Sequence, residues 1–570
     1  MSWISLITHS DTKIQEKARY FCDYFKLSIG LFGRTPQFFQ DNHEFLLDEI
    51  HFQLSTNRVK CYIYVNSALK HEIWKDSSVL LKCKHYNHFE TLRNRYINLK
   101  GEGEKKWIDR NGDELLISIV VFLKELRKSY LSRQVDELIR YLGCSCELNV
   151  HIDVISEKVR TVVSIMMLSN HHEKDLVDIF DRIFACDIKN FPFPSSFKVA
   201  SDEVKKEYLD TITLKEQIQS IKTIISQPNR LKYFVFRCLG INATATLSME
   251  YGDVHFVNGN HRLIKQLKKA LILSREDAKF FIKEDCIYAI VRTRSNSLNS
   301  GVKVAIAKSR DAVTHLRTII GDGFSFDSMN YLVSSDFKYV GWNFRTGDGV
   351  LRITDYDLDH YSSTSFAMLK NVKGQAKDDF LQHEILFSRA THSLLMHEYW
   401  IYAEVMLGGL PAKQGIERLA KVCSIGQREE ILHLLLSRMD VITHPINTSS
   451  ADLGIPWELQ KELNGLANEI DLRIKWYEVN VHVPIIERLV LYARDIQRKS
   501  VDELIKENQR LWIRAYGHRN SIIHSNLRHD KSIAVLMTDL PYQVRRFRIA
   551  VLNKLLKEPK HSLKEIVADL

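Results

Sequence analysis

SVDELIKENQRLWIRAYGHRNSIIHS, from Ser500 to Ser525, is the stretch on which the reading of the C-terminal part turns. Ser500 followed by Glu503 is a capping box, which marks a helix start. On a wheel of about 100° per residue centred on Trp512, Val501, Leu504, Ile505, Leu511, Ala515, Tyr516, Ile522 and Ile523 lie on one side. That side is an apolar stripe meant for burial. Glu503, Lys506, Glu507, Arg510, Arg514, Gly517 and Ser521 occupy the opposite, polar side. Arg519 breaks the pattern, because it falls about 20° from Trp512, in the middle of the stripe. An unpaired guanidinium there is costly, so Arg519 needs an anion or a wet interface. Two readings stay open from geometry alone. One is a structural pair with a carboxylate on a neighbouring helix, and the other is an active site.

Outward from this helix the pattern stays helical. From about Asp378, strand-like runs stop and amphipathic stretches follow one another. Leu381 to Leu407 reads as one helix ended by Gly408-Gly409-Leu410-Pro411. Ala412 to Met439 reads as two helices meeting near Gly426. Pro456 opens a helix to about Val479, Pro484 another to Arg498, and Pro541 a last one to Lys557. Residues 378–570 are therefore expected to form an all-α bundle.

Before Asp378 the chain looks mixed α+β. Val59–Val65, Tyr233–Cys238, Cys286–Arg292 and Tyr331–Trp342 are rich in β-branched and aromatic residues and read as strands. Glu114–Leu142 and Thr213–Ser226 carry helical periodicity. Pro192 and Pro194 suggest a linker at 191–196. The expected organisation is an α+β region over 1–195, a second α+β region over 196–377 as a possible sensor, and the helical domain over 378–570.

The string Tyr516-Gly517-His518-Arg519-Asn520-Ser521-Ile522-Ile523-His524-Ser525 carries Arg, a polar residue, three further residues and His. It resembles the R-x4-6-H signature of the HEPN superfamily, and its context is most similar to the ApeA-like HEPN domains of bacterial anti-phage defence proteins. The resemblance covers about 380–570 and is specific near 500–530. It implies a metal-independent endoribonuclease, a triggered toxin or abortive-infection effector, with Arg519, Asn520 and His524 as catalytic residues. It also implies a homodimer through the C-terminal domain, with two motif helices facing one cleft. RNA is the implied substrate, and a phage-derived or cellular trigger would act on the N-terminal region.

The chemistry needs those residue types. Histidine titrates near neutrality and can act as base or acid. Arginine stays charged and grips phosphate. One Arg and one His are half of a two-proton mechanism, which a second copy would complete. The expected products carry 2′,3′-cyclic phosphate and 5′-OH ends. Arg519 and His524 stand about 140° apart on a regular helix. Either the helix loosens at its end, or Arg519 reaches along the dimer cleft. Asn520 and His524 share a face and would work together. His518 reads as a surface residue.

Composition agrees with a folded protein of several domains: 570 residues, 45% apolar and 26% charged. Residues 501–570 hold 13 Lys and Arg against 8 Asp and Glu, half of the chain's +10 excess. A basic terminus suits a polyanion such as nucleic acid. Nine scattered cysteines and the lack of a signal segment suggest a reducing, cytoplasmic setting, and no run is long enough for a membrane span. Asp355-Tyr356-Asp357-Leu358-Asp359 lacks the glycine and glutamate of a calcium loop. Cys83, His85 and His88, and His171-His172-Glu173, lack a second cluster at zinc spacing. Gly341–Gly349 lacks the P-loop lysine. No cofactor and no metal is expected. The competing function is a non-catalytic HEPN-like dimerisation or regulatory domain, or a nucleic-acid-binding protein.

Overall fold

Among the described residues no strand precedes Arg230. The expected strand at Val59–Val65 lies instead in a helix, Arg58–Leu69. Its buried residues, Tyr64, Val65, Ala68 and Leu69, recur at helical spacing, and packing overrides the β propensity of the segment.

The structure, a computed structural model, describes residues 11–343 and 396–570 apart from short breaks, with residues 378, 384–388 and 390 between them. The longest stretches outside it are 1–10, 33–40, 273–279, 344–377 and 444–456. The N-terminal helices are α1 (Thr12–Leu31), α2 (His43–Thr56), α3 (Arg58–Leu69), α4 (Tyr86–Ile97), α5 (Glu102–Leu142), α6 (Leu148–Leu168), α7 (Glu173–Phe184), α8 (Asp202–Thr211) and α9 (Leu214–Ile225). The middle of the chain holds β1 (Arg230–Asn242), β2 (Ser248–Tyr251), β3 (Val254–Asn258), α10 (Arg262–Ile272), β4 (Cys286–Ser295), α11 (Leu298–Ile320), β5 (Ser325–Ser334) and β6 (Val340–Asn343). The C-terminal helices are α12 (Met396–Met406), α13 (Ala412–Cys423), α14 (Gln427–Thr443), α15 (Trp457–Gly465), α16 (Ile470–Asn480), α17 (Pro484–Arg498), α18 (Val501–Ser525), α19 (Asp530–Lys557) and α20 (Leu563–Ala568). Two of the four expected strands are present, in β1 and β4; the third, Tyr331–Trp342, is split between β5 and β6, which pair with each other, and the segment 457–480 forms two helices where one was expected. Pro541 lies inside α19 rather than at its start. The acidic run Asp355–Asp359 lies outside the described residues.

The chain divides into two compact units, not into three consecutive segments. One unit joins residues 1–169, 180–222 and 355–570, and the other joins 170–179 and 223–354. The proline pair at 192 and 194 therefore falls within one unit instead of between two. The smaller unit is an antiparallel sheet of order β2-β3-β4-β1-β5-β6. Strand alternation gives it two apolar faces. Phe234, Phe236, Ala289 and Val291 pack with Ala305 and Ala312 of α11, while Val235, Tyr288 and Ile290 pack with Ile264 and Leu267 of α10. Gly240 has φ 81°, and a Cβ there would stand 1.8 Å from the Gly323 carbonyl oxygen, so only glycine fits.

The larger unit is helical, and its cores include two that meet at α18. One is built from α2–α5 around Phe89, Phe122 and Tyr130. The other is built from C-terminal helices around Trp400, Trp512 and Phe547. Ile513, on α18, packs against both. The sequence-remote halves are also tied by polar contacts, such as Tyr24 to Tyr492 through their hydroxyls at 2.5 Å and Arg488 to Asp153 at 2.5 Å. Among the described residues no helix is long and apolar enough to cross a membrane.

Candidate functional site on the helix Val501–Ser525

The capping box opens α18 as expected: the Glu503 amide donates to Ser500 Oγ at 3.2 Å, and the Ser500 amide donates to Glu503 Oε2 at 2.8 Å. Trp512 and Ala515 are wholly buried, and the Trp512 ring lies 5.9 Å from that of Trp400 on α12. The apolar stripe thus faces α12.

Arg519 sits in that stripe and meets an anion on the same neighbour. Its Nη2 donates to Glu404 Oε2 at 3.0 Å, and Nη1 donates to the Asn520 side-chain oxygen at 3.1 Å. The Arg519 side chain is 19% exposed and that of Glu404 49% exposed, so the pair lies at a rim. Asn520 is buried, and its amide nitrogen, like Arg519 Nε, has no hydrogen-bond partner among the described residues. The helix is regular through Ser525, so it does not loosen to bring Arg519 round to His524. His524 follows Asn520 by one turn along the backbone, and its side chain lies outside the described residues.

The opposite side of α18 corrects the expectation of a polar, solvated face. Arg514, His518 and Ser521 are buried there against α2 and α3. Arg514 Nε donates to Glu49 Oε2 at 3.1 Å, and Nη2 donates to Asp41 Oδ1 at 2.9 Å. His518 is 1% exposed, not a surface residue; its Nε2 lies 3.3 Å from Glu49 Oε1, and its ring stacks on Phe52. The Tyr64 hydroxyl donates to Glu49, and His71 Nε2 stands 3.3 Å from Asp41 Oδ2. Burial pushes the Glu49 carboxyl up, but the Arg514 charge and the His518 hydrogen bond outweigh it and hold it below the ordinary value. Asp41 is held well below the usual carboxylate range in the same way, with burial outweighed by Arg514 and His71. The cluster is largely enclosed, with one guanidinium held between two carboxylates from the N-terminal part of the chain, so it ties sequence-remote halves of the fold together.

Sequence reasoning missed this second buried face because it looked for one apolar stripe. A signal was present: Gly517 and Ser521 are small residues one turn apart, and a Cβ on Gly517 would come within 3.3 Å of the Gln53 side chain. Small residues let another helix approach. Several basic residues of the terminus also pair with acids of this chain. Lys531 pairs with Asp48, Arg546 with Glu430, Arg548 with Glu384 and Lys554 with Asp569.

Other candidates resolve plainly. Cys83 is buried with Arg133 Nη1 donating to its sulfur, and His85 pairs with Glu125 at 2.9 Å. His171 is buried, and burial holds its pKa below the ordinary value. No protein-family model, curated protein or solved structure matches this chain.

Proposed function

We propose that the chain is a metal-independent endoribonuclease of HEPN type, acting as a triggered toxin or abortive-infection effector. The observation that carries the reading is Arg519: a guanidinium placed in an apolar stripe, kept at the rim by an exposed carboxylate and by the amide of Asn520. A phosphodiester could take the place of Glu404 with little loss, because an exposed ion pair is worth at most about 1 kcal/mol. Arg519 then stabilises the phosphorane, Asn520 orients, and His524 moves the proton. A regular helix sets Arg519 and His524 on different sides, so each arginine serves the histidine of a second copy in a homodimer. RNA is the substrate, and the products carry 2′,3′-cyclic phosphate and 5′-OH ends.

Arg519→Ala and His524→Ala are each expected to lower cleavage of RNA in EDTA by about 10²–10⁴-fold with helix content unchanged. Cleavage by His524→Ala at the wild-type rate would remove the assignment. A second reading, a non-catalytic helical domain in which Arg519 is structural, has the Arg519–Glu404 pair in its favour. It predicts that Arg519→Ala lowers the unfolding midpoint and that the wild type cuts no RNA.

A further inference from the structure

The turn between α5 and α6 brings together the two neighbouring cysteines and a histidine. Cys144 and Cys146 lie in the turn, and His151 lies in the first turn of α6. The two sulfurs are 3.0 Å apart, and the ligand atoms of all three residues lie within 4.8 Å of one another. Cys146 is exposed and Cys144 partly so. The turn is anchored from α1: the buried Lys17 ammonium donates to the carbonyls of Cys144 and Tyr141, and Lys13 pairs with Glu147 at 2.7 Å. The Tyr141 ring packs edge-on against His151 at 5.2 Å.

We propose that Cys144, Cys146 and His151 form a zinc site, with solvent or a small anionic ligand in the fourth position. Thiolate and imidazole are the donors zinc prefers, and no fourth His, Cys, Asp or Glu joins the group among the described residues. Sulfurs bonded to tetrahedral zinc at about 2.3 Å stand about 3.8 Å apart. The sulfurs would therefore move apart on binding, and Cys146 is the more exposed of the two. The sequence reading took both residues as ordinary reduced thiols, because the histidine five residues on counts only once the turn brings it back.

The test uses the full chain, reduced with a phosphine and stripped with EDTA, so that a disulfide cannot stand in for the metal. Zinc is titrated against a chromophoric chelator, and cobalt is added to a second sample. One zinc per chain and a thiolate-to-cobalt charge-transfer band are expected. Cys146→Ser and His151→Ala are each expected to weaken zinc by at least about tenfold and to reduce or remove the band, with helix content unchanged. Cys286→Ser, outside the cluster, should change neither. Absence of zinc binding by the reduced wild type overturns the proposal, and so does wild-type affinity in both cluster variants. Neither readout involves RNA, so the site stands or falls independently of the nuclease reading.

Discussion

Arg514 and Arg519 are five residues apart on one helix and live in different electrostatic worlds. Arg519 is paired with a half-exposed glutamate, and Arg514 is enclosed with two carboxylates. The consequences differ in size. Glu404→Gln should cost less than about 1 kcal/mol in urea unfolding and leave RNA cleavage intact, because exposed pairs are screened. A larger loss would make Arg519 a structural residue. Glu49→Gln leaves Arg514 buried without its full charge partner and should cost about 3–5 kcal/mol, read as a lowered urea midpoint. The anomaly of Arg519 was legible from the wheel alone, because a charge in an apolar stripe demands a partner. Which carboxylate would answer was not legible, since Glu404 is distant in sequence.

At the scale of the element, α18 is buried on two sides, and its pH response follows from the second side. Asp41 and Glu49 are held below their ordinary values of 3.8 and 4.5. For carboxyls depressed in the folded state, the stability they add is complete above those values and is lost as pH falls through the lower folded ones. Asp23 and Asp539, raised by burial to about 7 and about 6, act with the opposite sign above 3.8. The informative comparison is therefore wild type against Glu49→Gln. Between about pH 5 and about pH 3 the wild-type urea midpoint should fall more steeply than that of the variant. Equal slopes would mean that Glu49 does not carry the coupling.

For the whole molecule, the helical domain expected over 378–570 is only part of a unit that includes residues 1–169 and 180–222. Made alone, 378–570 would expose Arg514, His518 and the Ile513 side that α2–α5 cover. We expect that fragment to aggregate or to show reduced helicity by circular dichroism, and co-expression with residues 11–222 to restore a soluble species on gel filtration. A soluble, fully helical fragment 378–570 would show that the second core is dispensable.

Local rules determined much of this protein by themselves. The capping box at Ser500, the positive-φ glycines Gly408 and Gly426 at helix ends, Pro484 at a helix start and the alternation in β1 and β4 all depend on neighbours within a few residues. Tertiary structure decided the rest. Whether Val59–Val65 became helix or strand, whether His518 met water or Glu49, and which acid faced Arg519 depended on segments more than a hundred residues away in most cases. Propensity and periodicity describe one segment in isolation, whereas the free energy of burying a charge depends on what another segment brings to meet it.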